Sequence, residues 1–447
     1  MAATEERAQD QQVIGSGLPP GPRHSRAFQT LAWTSRPFGS ITRAHRQFGD
    51  RFTMRFGQAT FVSLSDPADV KEVFTGDPAI FHAGKGNVIL LPFMGRNSVL
   101  LLDGEEHMSQ RKLLLPPLHG EKMRAHVPLM REIAEREVAT WPVGEPFALA
   151  PRMQRLTLEV ILRIVFGVDE DSPLLDELRR EMTSVTDAAA DTRRMLKLAV
   201  IGPEKVFEQN LFGDILDPVD RIVRLVIAEH RRLPDLEQRD DILSMLLCAR
   251  YDDGSAMTED ELRDELMTML IAGHETTATS VSWAMERLTR HPHQLDALHA
   301  SVAAGETEYA DAVIKESLRL RPVLPFVVRE LQEDAVVGGW RYPKGAWLAP
   351  SIFLVHRRPD LYPDPLTFDP DRWLGVRPGP YHWFPFGGGV RRCVGAAFAE
   401  TEMRAVLAAI ASAVRLSPAD PRPERVRRRV ITLVPSRGGE VIARRLA

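Results

Sequence analysis

Phe384-Pro385-Phe386-Gly387-Gly388-Gly389-Val390-Arg391-Arg392-Cys393-Val394-Gly395 runs directly into an apolar stretch, Ala396 to Val414, that reads as a helix. Three consecutive glycines mean a backbone that turns tightly or lies against something flat. Cys393 stands just before a helix N-terminus, where free amides and the positive helix end favour a thiolate. Arg391 and Arg392 beside it push the same way. A lone cysteine is more often a buried, inert thiol, and Cys248, inside the apolar segment Ile242–Cys248, reads as that case. A phosphate-cradling role for the glycines is the weaker reading. No G-x-x-x-x-G-K-[ST] run is present, and no strand is evident ahead of the loop.

The chain has 447 residues, 44% hydrophobic and 26% charged, which is ordinary for a globular protein. A chain of this length buries enough surface to fold without a disulfide or metal staple. Its 57 basic and 61 acidic residues sum to −4, so the basic footprint of a nucleic-acid binder is missing. Two cysteines exclude a secreted disulfide framework and a zinc site built mainly from thiolates. Met1–Gln12 is polar and acidic, without an apolar signal core. The longest uncharged apolar runs, Gly345–Val355 and Ala405–Val414, fall short of the ~18 residues a membrane span needs. A cytoplasmic monomer is expected. Only eight of the 57 basic residues are lysine, which points to a GC-rich bacterial genome.

One domain over 1–447 is expected, mainly α with a small β lobe. Residues 1–25, with Leu18-Pro19-Pro20-Gly21-Pro22, read as an extended and mobile entry segment. Phe48–Ser65 alternates around Gly57-Gln58 as a β-hairpin, and Asp66-Pro67 starts a helix at Ala68. From Glu105 to Arg290 the pattern is mainly helical, with Arg155–Phe166 and Val219–Arg232 amphipathic. Short strands such as Trp347–Ala349 follow Arg321. No internal repeat or linker is evident.

Thr258 to Arg290 forms one continuous helical pattern, opened by a Thr258/Glu261 capping box and stopped by Pro292. Such a helix must cross the whole molecule. Its middle reads Ile271-Ala272-Gly273-His274-Glu275-Thr276-Thr277. Gly costs about 1 kcal/mol in a helix interior, and Thr hydroxyls can bond the carbonyl four residues back. The heptapeptide is therefore a local opening with polar groups facing into it, or, equally, a glycine that admits a close helix neighbour. On the next helix, Tyr309–Leu320, Glu316 and Arg319 share a face. A surface pair there would be worth little, whereas a buried one needs further partners. Arg372, in Phe368-Asp369-Pro370-Asp371-Arg372-Trp373, is the candidate third member.

The cysteine loop resembles the haem-binding loop of the cytochromes P450. The family pattern F-x-x-G-x-R-x-C-x-G is met by Phe386, Gly389, Arg391, Cys393 and Gly395. Ala272-Gly273-x-Glu275-Thr276-Thr277 resembles the family's oxygen-activating helix. Glu316-x-x-Arg319 resembles its Glu-x-x-Arg helix, with Arg372 as third partner. The resemblance spans the chain from the proline-rich entry to a final hairpin at Val430–Val441.

The resemblance implies a single-domain P450 fold, with the long central helix over haem b, and Cys393 as the iron's thiolate ligand. Arg391, Arg329 and Arg111 would hold the propionates. His107-x-x-x-Arg111 is similar to the family's W-x-x-x-R helix, with His107 in place of the aromatic donor. Glu275 and Thr276 would deliver protons during oxygen activation, with Ala272 beside them. O2 is the implied co-substrate. A ferredoxin and its reductase would supply electrons, since no flavin or iron–sulfur domain follows Ala447. Their docking is expected over Arg391, Arg392 and Lys112. The segments implied to contact substrate, Asn87–Met94, Met269–Ala272 and Val323–Phe326, are almost wholly apolar, and an aliphatic, terpenoid or fatty-acyl molecule fits them. Two alternatives stand beside this monooxygenase: a haem-thiolate enzyme of rearrangement or coupling, and a haem-based sensor. Retention of Glu275 and Thr276 counts against the first, and the lack of an output module against the second.

Overall fold

The computed structural model describes residues 13–446, without the side chains of residues 186–190, 192, 196 and 199. The helices that matter most to the site are α1 (Gly104–Leu114), α2 (Leu149–Ile164), α3 (Glu259–Thr289), α4 (Glu308–Leu320) and α5 (Ala396–Ala413). α3 is unbroken over 31 residues, so it is about 46 Å long. The predicted capping box closes: Thr258 Oγ1 accepts the Glu261 N–H, and the Glu261 carboxylate accepts the Thr258 N–H at 2.7 Å. Glu259, Asp260 and Glu261 set negative charge against the positive helix end. From Leu262 to Leu288 buried residues occur on every side of α3, the mark of a helix enclosed by others. α2, α4 and α5 pack on it.

β1 (Arg51–Phe56) and β2 (Ala59–Leu64) form the predicted hairpin, turning at Gly57 with φ +53°. With β3 (Phe81–His82), β4 (Arg329–Leu331) and β5 (Trp347–Pro350) they make a five-stranded sheet of order β1-β2-β5-β4-β3. The β2–β5 pair is parallel and the other pairs are antiparallel. Strand alternation sends Val62 and Leu64 to one apolar cluster, and Phe52, Met54 and Phe61 to another. The main core gathers around α3. The architecture is the expected one, mainly α with a small β lobe.

Three expectations need correction. Residues 13–25 are extended but anchored. Gly15–Ser16 pairs with Trp340–Arg341, and Thr53 Oγ1 donates to the Pro19 carbonyl at 2.5 Å. Residues 1–12 lie outside the described chain. The helix expected at Val219–Arg232 begins at Gly213, with Pro218 inside it. The last hairpin is β6 (Val426–Arg429) with β7 (Thr432–Pro435), turning at Val430-Ile431. Gly438 and Gly439, both at positive φ, break the chain there. Val441 therefore belongs to a separate strand, Glu440–Arg445, paired with Val414–Pro418 and Pro146–Ala148.

Candidate active site

Ahead of α5, Gly387 and Gly389 hold φ of +69° and +64°, a region that residues with a Cβ rarely enter. A Cβ on Gly389 would stand 2.0 Å from the Phe74 carbonyl oxygen. The loop is thus seated against Phe74, and the Cys393 N–H donates to the Phe386 carbonyl at 2.9 Å. Gly395 precedes α5 with nothing within 4 Å of where its Cβ would be. The Cys393 side chain is exposed, yet protein surrounds it deeply enough that burial raises its thiol pKa. The Gly395 amide, Arg392 and Arg111 do favour the thiolate, as expected, but burial outweighs them. A coordinating metal ion would remove that proton outright.

His107 and Arg111 lie one turn apart on α1. His107, only 3% exposed, lines a crevice with Arg329 and Arg391. Burial, then Arg391, Arg111 and Arg329, lower its pKa to about 3, so the ring is neutral. Burial brings Arg329 and Arg391 down to about 10. Arg391 pairs with Asp103 and donates to the carbonyls of Val99 and Leu102. It therefore points inward, and its expected place on a docking surface is corrected. Asp103 is heavily committed, since it also accepts the N–H groups of Ala83 and Gly84 at 2.8 and 3.0 Å. Arg329 forms no ion pair among the described residues and donates to its neighbour Val328. Two buried or part-buried guanidiniums, Arg329 and Arg391, thus share one carboxylate, and Arg111 adds further positive charge beside Arg391. That excess suits an anionic group with two carboxylates, and together with an exposed thiol at the glycine loop it fits haem.

Gly273 serves close packing: a Cβ there would lie 2.9 Å from Ile161 Cδ1 of α2. Beside it, Thr276 Oγ1 donates to the Ala272 carbonyl at 2.7 Å, and Thr157 of α2 donates to the His274 carbonyl at 2.8 Å. The close-packing reading of the heptapeptide is the one this geometry bears out, and α3 runs unbroken through it. His274 is buried, and burial lowers its pKa; its Nδ1 bonds the Leu270 carbonyl at 2.9 Å. Glu275 reaches the β6–β7 hairpin instead. Its Oε1 accepts from Thr432 Oγ1 at 3.0 Å and lies 3.8 Å from Arg429 Nε.

Glu316 and Arg319 are both 0% exposed and bridge at 2.7 Å through two parallel bonds. Arg372 Nε, Trp373 Nε1 and the Asp369 N–H also donate to Glu316. Arg319 is completed by the carbonyls of His356, Pro365 and Thr367. The pair is buried and saturated, as its stability requires. Sequence reasoning missed Phe74, Asp103, Thr157 and Thr432. Asp103 alone carried a local signal, as an acidic residue directly ahead of a helix.

The family model for cytochrome P450 matches residues 19–442. Cytochrome P450 135B1 of Mycobacterium tuberculosis is 43% identical over 439 residues, covering 96% of this chain and 92% of that protein. Cytochrome P450 138 of Mycobacterium bovis is 36% identical over 436 residues, 96% of each chain. Among solved structures, the cytochrome P450DA heme domain superposes with a TM-score of 0.82 at 24% identity, covering 97% of this chain and 98% of that one. Retinoic acid-bound cyanobacterial CYP120A1 superposes with a TM-score of 0.78 at 23% identity, covering 98% and 100%. These two share the fold. The chain belongs to the cytochromes P450, monooxygenases that carry haem b and use O2 with electrons from a redox partner.

Proposed function

We propose that this monooxygenase hydroxylates or epoxidises an apolar small molecule of terpenoid or fatty-acyl type. When bound, haem supplies the oxygen-activating chemistry. Cys393 would be its ligand, and His107, Arg111, Arg329 and Arg391 would take its carboxylates, with Phe386, Gly395 and Ala272 lining its place. The observation that carries the reaction type is the pairing of Thr276 and Glu275 in the middle of α3. Thr276 Oγ1 now donates to Ala272, so rotation about its χ1 frees that proton. Once Thr276 has given that proton to the oxygen being activated, Glu275 would restore one drawn from solvent.

The substrate class rests on the half-buried apolar residues Val88, Ile89, Met269, Ile271 and Leu324. Leu91, Phe93 and Leu270 belong to the core, and Phe326 packs against Phe61, so they are set aside as contacts. For the electron donor we infer an acidic ferredoxin with its reductase. The exposed Arg392 and Lys112 support that docking, Lys112 being held only by the exposed Asp252. A cytoplasmic monomer is consistent with two free cysteines. Among the described residues no helix is long and apolar enough to cross a membrane. The test is oxygen uptake with a ferredoxin system across terpenes and fatty acids, with product analysis. An enzyme that converts such a compound without consuming O2 would overturn the reading.

A further inference from the structure

We propose that Thr432 is a positioning residue for Glu275, its hydroxyl serving that carboxyl in both protonation states. The inference rests on Glu275 being the proton relay. Thr432 is buried at the start of β7, and its Oγ1 lies 3.0 Å from Glu275 Oε1 and 2.8 Å from the Arg429 carbonyl. A hydroxyl has one proton to give and lone pairs to accept with. Facing an ionised Glu275, Thr432 donates to Oε1. Facing a protonated Glu275, it accepts from the carboxyl and turns its own proton to the Arg429 carbonyl. The hydroxyl thus keeps a partner in either state, with the Arg429 guanidinium 3.8 Å from the same carboxylate oxygen.

The hairpin holds this hydroxyl in place. The Leu433 N–H donates to the Val323 carbonyl at 2.9 Å, and the Leu433 carbonyl accepts from Trp283 Nε1, two turns along α3 from Glu275, at 2.8 Å. At the turn, Val430 sits at φ +51°, with its carbonyl accepting from Arg428 Nε at 2.6 Å. A β-branched residue in this region is strained and persists only where its surroundings over-determine it. The tip is thus a fixed device, and Thr432 is its contact with the relay.

The test uses the holoenzyme with lauric acid as probe, comparing Thr432→Val, Thr432→Ser and Glu275→Gln. Infrared spectra of the resting enzyme identify the Glu275 carboxyl band by its absence in Glu275→Gln. That band is expected to shift in Thr432→Val and to return in Thr432→Ser. Oxygen-dependent turnover is expected to fall about tenfold in Thr432→Val with a larger solvent isotope effect, and to stay within about twofold in Thr432→Ser. Should valine prevent folding, Thr432→Ala asks the same question. A Thr432→Val enzyme with the parent band and isotope effect, while Glu275→Gln slows turnover, overturns the positioning role alone. If Glu275→Gln turns over normally, the relay reading falls and this inference with it.

Discussion

Thr276 Oγ1 donates to the Ala272 carbonyl at 2.7 Å, one helical turn back along α3. The bond is local and replaceable, so removing it costs only about 1 kcal/mol of stability. Thr276→Ala should therefore fold and bind substrate, but lack an ordered proton donor in the notch. It should consume NAD(P)H at a near-normal rate while releasing hydrogen peroxide instead of product. Glu275→Gln should slow total turnover. Thr277 is buried beside the fully buried Glu402 of α5, so Thr277→Ala should cost stability more than coupling. Peroxide yield per NAD(P)H separates the three. An uncoupled Thr277→Ala beside a coupled Thr276→Ala would move the relay by one residue.

Thiolate ligation predicts a red-shifted Soret band in the reduced CO complex. Cys393→His should lose it and Cys248→Ser should keep it. Cys393 is the thiol at the glycine loop, whereas Cys248, exposed rather than buried as its apolar segment suggests, ends a short helix away from it. Loss of the band in Cys248→Ser instead would reverse the assignment.

The Glu316–Arg319 pair is buried with every partner in place. Arg319→Leu strands the Glu316 carboxylate in the core and should cost about 3–5 kcal/mol. Haem-loaded protein should then fail to accumulate. Arg372→Leu leaves Glu316 with Arg319 and Trp373, and should be milder. Denaturant midpoints of the two variants check the order, and equal losses would contradict the ranking.

The sequence made the α3 helix, its cap and the cysteine loop legible because each is written locally, in a capping box, a glycine run or a 3.6-residue period. What stayed hidden depends on distant elements meeting. Phe74 explains Gly389, but 315 residues of chain separate them. Arg391 looks like a surface charge beside Arg392, until Asp103 and two carbonyls draw it inward. The thiol shows the same limit: the helix end and arginines that favour its thiolate are visible in the sequence, while burial is a property of the whole fold. The buried carboxyls Glu265 and Glu402 break no local pattern, so nothing marked them in advance.

Redox-partner docking over Arg392 and Lys112 predicts electron transfer that slows as salt rises. Arg392→Glu should weaken it severalfold, whereas Arg391→Glu, at an inward-facing position, should instead lower haem retention. A rate indifferent to ionic strength would exclude that surface.

Glu265 of α3 is fully buried, and burial raises its pKa to about 8. Its Oε1 accepts from the Val99 N–H at 2.6 Å and from Gln110, while Oε2 has no partner among the described residues. The folded protein thus keeps a proton here that the unfolded chain loses above its ordinary value of 4.5. Where the folded state binds more protons, stability falls as pH rises. The cost therefore grows between pH 4.5 and 8 and is constant above. Glu265→Gln keeps the acceptor and removes the titration. Its melting temperature should depend less steeply on pH across that window, with a gain on the order of 1–3 kcal/mol at pH 8. Some slope should remain, because burial also raises the pKa of neighbouring Asp264. Thermal melts from pH 5 to 8 decide it: a parallel displacement of the two curves would mean that Glu265 is ionised in the fold.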